Sequence, residues 1–304
     1  MNTQSSAMSD ASPGGQQIPA APVAPTAQTR PMYWSIRREL WENRSLYIAP
    51  LVIAGIVLVG FLIATIGRAM VIVDPVEKAG VLSERNHFAA SVLIAAAFIV
   101  GVFYCLDALH GERRDRSILF WKSLPVSDLT TVLSKASIPL VILPLITFVI
   151  VVVMQLVMVV LRSAALMMSG LTATAAALSF QQPVILLYSL VVLALWHAPL
   201  YAWLLLVSSW ARRAVFLWAM LPPVVVSVFE KVAFNTSYFQ SMINYRFMGF
   251  AREAFAGSGH GTIDSLNQLT PGNFLSTPGL WIGLAVAAAF LAAATRMRRY
   301  REPI

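Results

Sequence analysis

Six long apolar runs, separated by shorter polar segments, dominate this chain of 304 residues. They lie at about 47–67, 89–109, 137–161, 183–207, 214–233 and 278–296. Each run has about the 20 consecutive residues that an α-helix needs to cross the hydrocarbon core of a bilayer. Inside a bilayer every backbone polar group must be satisfied within the protein, and a helix does this by itself. The sequence therefore predicts an all-α membrane protein with six transmembrane helices.

Composition supports the same fold class. The chain is 58% hydrophobic and only 12% charged, whereas soluble domains carry about 25% charged residues. The net charge is +8, and the lysines and arginines lie at the ends of the apolar runs and do not form one basic face. Their placement indicates membrane topology and not nucleic-acid binding. Cys105 is the single cysteine and lies within an apolar run, so we expect a small packing residue and no disulfide or cysteine metal site within the chain.

The first 44 residues divide into two parts. Residues 1–30 are rich in Ala, Pro, Gln, Ser and Gly and are predicted to be a disordered cytoplasmic tail. In the segment MYWSIRRELWENR that follows, Trp34 and Trp41 lie one heptad apart, with charged residues on much of the opposite side. This pattern is typical of an amphipathic helix in the membrane interface, so we predict an interfacial helix at 32–44 before the first span.

Lysine and arginine set the predicted orientation, because they are enriched in cytoplasmic segments. With the N-terminus inside, fifteen of the 22 Lys and Arg residues fall in inner segments and seven in outer ones. Both termini are therefore expected to be cytoplasmic. In the outer segment 234–277, we predict re-entrant or surface half-helices at about 238–256. Residues 166–178, in another outer segment, are predicted to be a short extracytoplasmic helix that does not cross, with a dip into the bilayer as the alternative.

The inner segment 107–135 carries most of the readable chemistry. A block of mixed charge, residues 112–116, is followed at once by the apolar cluster 118–121. An aromatic cluster beside charges suits a docking surface, because aromatics fill a partner's pocket while charges fix the register. Pro125 is predicted to end this segment, and Ser127 or Asp128 to cap the helix that follows.

This segment resembles the cytoplasmic loop of type-two ABC exporter permeases. The resemblance rests on Glu112-Arg113, a polar gap, an apolar turn, residues 122–127 (KSLPVS) and residues 133–135 (LSK). It is good over residues 105–135, whereas the rest of the chain shares only the hydropathy plan. In that family the loop is a short coupling helix that sits in a groove of the ATPase subunit.

The resemblance implies a bacterial inner-membrane exporter. It implies that the interfacial helix at 32–44 is the elbow helix that precedes the first span in this family, and that residues 110–130 form the coupling loop. It also implies a separate cytoplasmic ATPase subunit that binds ATP and Mg, and a second permease subunit, either identical or related. The residues expected to contact the ATPase are Glu112, Arg113, Asp115, Ile118, Phe120, Trp121 and Lys122. The aromatic pair Phe120 and Trp121 is expected to anchor the contact. Against this stands a plainer interpretation, in which the loop is solvated and its aromatics lie on the membrane surface.

The chain shows no motif for chemistry of its own. It lacks a glycine-rich loop ending in Gly-Lys-Ser/Thr, so no ATP-binding site is expected in it. Its four histidines show no metal-binding spacing, and no Ser/His/Asp constellation can be argued. We therefore predict that the chain is not itself an enzyme and holds no cofactor.

Three polar residues within or near the spans are candidates for contacts along a transport pathway: His197, Gln155 and Glu230. An ionisable group inside a span is costly, so His197 should face the bundle interior or a cavity. It suits a substrate contact or proton relay, or a neutral histidine that is hydrogen-bonded to a neighbouring helix. Gln155 suits a hydrogen bond between helices. Glu230, near the outer end of the fifth run, suits a pairing with another element, a side chain that extends outward to the membrane surface, or a gate.

Two other functional classes fit parts of the pattern. A secondary transporter driven by an ion gradient would need acidic groups or broken glycine-rich helices at mid-membrane, and internal repeats. A membrane anchor or sensor that recruits a cytoplasmic partner would need the same docking loop but no polar pathway. The exporter permease remains the favoured prediction.

Overall fold

The computed structural model describes residues 31–69, 75–115, 126–168, 181–256, 263 and 265–300. The helices are α1 Pro31–Glu42, α2 Ser45–Ala69, α3 Pro75–Ala108, α4 His110–Arg114, α5 Asp128–Ser137, α6 Leu143–Met168, α7 Gln181–Trp210, α8 Val215–Phe234, α9 Tyr238–Ala254, α10 Pro271–Ser276 and α11 Pro278–Tyr300. A π-helical turn, Ile138–Ile142, joins α5 to α6, and a single-turn helix, Leu266–Gln268, precedes α10. Every regular element in the described ranges is helical, which confirms the all-α prediction. The predicted tail 1–30 and most of the segment 166–178 lie outside those ranges.

By length and composition, six helices can cross a membrane: α2, α3, α5 with α6, α7, α8 and α11. They match the six predicted runs in number and order, so the chain is a multi-pass membrane protein. The third span starts earlier than the predicted residue 137, because Ser127 caps a helix that begins at Asp128. The Ser127 Oγ accepts a hydrogen bond of 3.1 Å from the backbone N–H of Thr130. Pro139 lies in the π-helical turn, where the helix bulges but continues.

We call the end of the bundle that carries α4 the loop end, and the opposite end the far end. The loop end also holds α1, the start of α5, the turn between α7 and α8, and the last turn of α11. The far end holds α9, α10 and the start of α11. The two ends carry different side-chain clusters, which are described in turn below.

Helix α7 is the central helix of the bundle. In its most apolar stretch 61% of the residues are buried, against 11% in α8. It packs along α11 and against α3, where Gly101 allows a close approach. A Cβ at this glycine would lie 3.1 Å from the Cε1 atom of Tyr201. Lipid tails are as apolar as these side chains, so close packing of this kind holds the helices together.

Helix α1 forms as the sequence predicts, but it packs against the bundle with the side that also carries the buried Glu39, and it exposes its tryptophans on the other. Trp34 and Trp41 are exposed, and the guanidinium of Arg37 lies 5.4 and 5.3 Å from their ring centroids. On the other side Ile36 and Leu40 pack against the core of the bundle. An exposed aromatic face beside a transmembrane helix is typical of the membrane interface.

The turn from α8 into α9 reverses the chain at the far end. Asn235 ends α8 with φ 49°, a left-handed conformation that asparagine tolerates better than most residues. Helix α9 then follows at Tyr238–Ala254, close to the short helix predicted at about 238–256. Whether it re-enters the bilayer stays a prediction.

Candidate functional site: a buried ion network at the loop end

Four helices bring charged side chains together at the loop end. Glu39 comes from α1, Glu112 from α4, Lys135 from α5 and Arg298 from α11. Each of these side chains is at most 6% exposed. We call this group, together with Asp128 and the partly buried Arg38, the ion network.

Lys135 lies at the centre of the ion network. Its Nζ donates to Glu39 Oε1 at 2.7 Å and lies 3.2 Å from Glu112 Oε1. The second oxygen of Glu39 accepts a hydrogen bond of 2.9 Å from the Tyr104 hydroxyl. One ammonium group therefore ties α1 to both α4 and α5.

Arg298, from the last helix α11, makes the second link between the helices of the ion network. Its Nη1 donates to Glu112 Oε2 at 2.6 Å, and its Nε donates to Asp128 Oδ1 at 3.1 Å. Glu112 precedes the segment 115–127, which lies within the predicted coupling loop, and Asp128 follows it. A single guanidinium thus joins the two flanks of the loop to each other and to α11.

The start of the loop is also fixed to the end of α7. The Ser208 Oγ accepts hydrogen bonds from the backbone N–H groups of Leu109 and His110, at 3.0 and 2.9 Å. Arg113 Nη1 donates to the carbonyl oxygens of Ser209 and Ala211, at 2.9 and 3.3 Å. A cation at a helix C-terminus is favourable, because the last carbonyls have no partner within the helix.

The ion network is balanced in charge. Its three carboxylates, Glu39, Glu112 and Asp128, face three cations, Arg38, Lys135 and Arg298. Burying a charge is costly, and mutual attraction offsets that cost only when geometry and hydrogen bonds are good. Removing one member leaves an uncompensated buried charge, so the network holds four helices in one arrangement.

The predicted docking residues fall into three groups. Glu112 and Arg113 are buried, 7% and 3% exposed, and face other helices of the chain. Asp115 is exposed and pairs with Arg114 at 3.1 Å. The other four, Ile118, Phe120, Trp121 and Lys122, lie outside the described residues. Burial thus gives Glu112 and Arg113 a role in positioning the loop, whereas direct contact with an ATPase stays a prediction.

Of the predicted pathway residues, His197 is buried at the centre of α7. Its Nδ1 lies 2.9 Å from the carbonyl oxygen of Leu193, one turn earlier on the same helix. Its ring lies between Phe98 and Phe250, with centroids 5.1 and 5.8 Å away. The histidine is therefore bonded within its own helix and enclosed by aromatic rings. Gln155 of α6 is half-buried, and no described residue forms a hydrogen bond with its side chain.

Glu230 pairs with the next element, one of the three alternatives that the sequence left open. Its Oε1 and Oε2 accept hydrogen bonds from the backbone N–H groups of Tyr238 and Phe239, at 2.7 and 2.8 Å. These groups lie in the first turn of α9, where backbone donors have no partner within the helix. The Thr236 hydroxyl donates to the same carboxylate at 2.9 Å. Glu230 therefore fixes the start of α9.

Sequence reasoning did not single out Glu39, Lys135 or Arg298 as a site. Among the described residues, no group of three His, Cys, Asp or Glu side chains lies close enough together to hold a metal ion. Comparisons of the chain with protein-family models, with curated proteins and with solved structures found no match. Function is therefore inferred from the chain's own residues.

Proposed function

We propose that the chain is the transmembrane permease subunit of an ATP-driven exporter of the type-two ABC class. In this proposal a separate cytoplasmic ATPase subunit binds ATP and Mg, and the loop 115–127 docks on that subunit. The chain itself performs no hydrolysis. Its task is to convert a displacement of the loop into a rearrangement of the spans.

The observation that carries the proposal is the attachment of both loop flanks to the ion network. A docking loop transmits force only if its base is stiff, because a flexible base would absorb the displacement. Arg298 holds Glu112 and Asp128 together, and Lys135 ties Glu112 to Glu39 of α1. A push on this loop therefore acts on α1, α4, α5 and α11 as one body.

Helix α11 supports the proposal because it connects the two ends of the bundle. It runs from Arg298 at the loop end to Gly279 at the far end, a length of about 30 Å at 1.5 Å per residue. At the far end Arg246 of α9 donates to the carbonyl oxygen of Gly279 at 2.9 Å. The same guanidinium lies 4.8 Å from the ring centroid of Trp196 in α7. A displacement of α11 at the loop end would thus reach α7 and α9 at the far end.

The positions of the acidic residues weigh against the ion-gradient alternative. Asp107, Glu112, Asp128 and Glu230 are the acidic residues of the six described spans, and each lies within about two turns of a helix end. An ion-coupled carrier needs such groups near mid-membrane.

Location and assembly follow from the same proposal. The loop end would face the cytoplasm, where an ATPase can reach it, and the protein would reside in a bacterial inner membrane with both termini cytoplasmic. A second permease subunit, identical or related, would complete the pathway. The exposed apolar side of α8 is available to lipid or to that subunit.

Co-purification tests the proposal. The tagged chain is extracted in a mild detergent and its partners are identified by mass spectrometry and assayed for ATP hydrolysis. We expect an ATPase with the wild type and with W281A, which removes an exposed tryptophan at the far end. We expect its loss from the F120A/W121A variant. The absence of an ATPase from the wild-type preparation would contradict the exporter function, and an undiminished yield with F120A/W121A would contradict docking through these aromatics.

A further inference from the structure

A polar cleft lies at the far end, away from the ion network. It has a volume of about 550 Å³ and lies between the last turn of α9, α10 and the first residues of α11. Arg252, Glu253 and Tyr245 line it from α9, and Asn273 and Thr277 from the opposite side. The cleft therefore brings a cation, an anion and several neutral hydrogen-bonding groups to one surface.

The carboxylate of Glu253 is held in place by the Tyr245 hydroxyl, which donates to its Oε1 at 3.0 Å. The Thr277 hydroxyl lies 3.2 Å from its Oε2, but its proton has a closer acceptor in the carbonyl oxygen of Asn273, at 2.8 Å. Burial and the bond to Glu253 raise the pKa of the Tyr245 phenol, so this hydroxyl remains a proton donor. A carboxylate oxygen accepts more than one hydrogen bond, so a fixed Glu253 can still accept from a bound group.

Arg252 presents a second charge to the same cleft. Its side chain is exposed, and it has no hydrogen bond or ion pair with any residue that the structure describes. The adjacent carboxylate of Glu253 accepts from Tyr245 and forms no ion pair with Arg252. A fixed anion and a cation that has no ion-pair partner among the described residues are complementary, at one cleft, to a ligand that carries both charges.

The cleft opens where α11 enters its span, so it lies at the level of a bilayer surface. Pro278 and Gly279 line the cleft and are the first residues of that helix. Ile282 and Val286 follow on the same face at helical spacing, and both are exposed, 62% and 38%. Trp281 is also exposed, as is common for tryptophan at a membrane interface. An apolar stripe thus leads from the cleft toward the bilayer centre.

We propose that this cleft binds a zwitterionic phosphate–ammonium group, with the phosphate on Arg252 and the ammonium on Glu253. Two sources supply this chemistry, a phosphatidylethanolamine headgroup and soluble phosphoethanolamine. With the lipid, an acyl chain would lie along Ile282 and Val286. The inference is independent of the proposed exporter function, because it needs neither the loop nor an ATPase.

The test measures ligand binding to the purified, delipidated full-length chain by native mass spectrometry and by shifts in melting temperature. The probes are phosphatidylethanolamine, phosphatidylglycerol (which has the phosphate but lacks the ammonium) and soluble phosphoethanolamine. The variants are R252Q and E253Q, with R296Q as the control, an exposed arginine at the loop end.

We expect R252Q to weaken the binding of both lipids, and E253Q to weaken only phosphatidylethanolamine. Each loss should be about tenfold, as expected when a hydrogen bond to a charged group is removed. R296Q should bind like the wild type. Binding of soluble phosphoethanolamine with the same dependence on both charges would support the site and identify a soluble source.

Equal affinity of the wild type, R252Q and R296Q for every probe would overturn the proposal. E253Q also disturbs the contacts to Tyr245 and Thr277, so its melting temperature without ligand is measured first. R252Q removes no hydrogen bond or ion pair with a described residue, so its result decides the question even if E253Q fails to fold.

Discussion

Replacing Lys135 with methionine tests the ion network most sharply. Methionine keeps much of the side-chain volume but removes the ammonium group shared by Glu39 and Glu112. Both carboxylates are almost fully buried, 3% and 6% exposed, so neither gains compensating hydration. Breaking a buried ion pair by removing one partner costs about 3–5 kcal/mol. We expect the lower end, about 3 kcal/mol, because Glu39 keeps its bond to Tyr104 and Glu112 keeps its bond to Arg298.

The assay is reversible unfolding in mixed micelles, followed by tryptophan fluorescence as the fraction of denaturing detergent rises. The double variant K135M/E39Q removes one of the two anions as well as the cation, and the other anion, Glu112, keeps its bond to Arg298. It should recover more than half of the lost free energy of unfolding, because Glu39 no longer leaves an uncompensated buried charge. R114M serves as a control, since Arg114 and Asp115 form an exposed pair. It should leave the free energy of unfolding unchanged.

Two results would refute this reasoning. Wild-type stability of K135M would show that the ammonium group does not compensate the buried carboxylates. Equal destabilisation of K135M and K135M/E39Q would show that the loss comes from packing and not from the uncompensated charge.

Three further variants test separate parts of the fold. G249A places a Cβ 2.7 Å from a ring carbon of Tyr245 and should lower the free energy of unfolding by about 1–3 kcal/mol. The control G55A places a Cβ where no atom lies within 4 Å, so it should cause no loss. Equal stability of the two variants in the same unfolding assay would contradict the close packing at α9. S208A removes the acceptor of two backbone N–H groups and should cost about 1–3 kcal/mol, and an unchanged melting temperature would show that those groups find another partner. E230A should speed hydrogen–deuterium exchange in the first turn of α9, because two backbone N–H groups there lose their acceptor. The control K231A should leave that exchange unchanged. Equal exchange in both variants would contradict the capping role of Glu230.

Features encoded in neighbouring residues could be predicted from the sequence. The six spans follow from apolar runs, and α1 follows from the spacing of Trp34 and Trp41. The start of α5 follows from a serine at the capping position, and the structure identifies it as Ser127. Each of these signals lies within a few turns of one helix, where side-chain chemistry and helical periodicity determine the outcome.

The ion network could not be predicted, because its members are far apart in the chain. Lys135 and Glu39 are 96 residues apart, and Arg298 and Glu112 are 186 apart. A block of charges in a loop looks solvated when its partners are unknown, so Glu112 and Arg113 were expected on the docking surface. One local signal was present in the sequence. Lys135 lies one helical turn after Val132 and next to Ala136, so it lies beside the buried apolar face of α5.

The docking loop itself is tested most directly by photo-crosslinking in cells. The photoreactive residue p-benzoylphenylalanine replaces Trp121 in the loop in one strain, and exposed Trp281 at the far end in another. We predict an ultraviolet-dependent adduct between position 121 and an ATP-binding subunit, and no such adduct from position 281. An adduct with the ATPase from position 281, or none with any ATP-binding protein from position 121, would contradict the proposal that this loop receives the force of ATP hydrolysis.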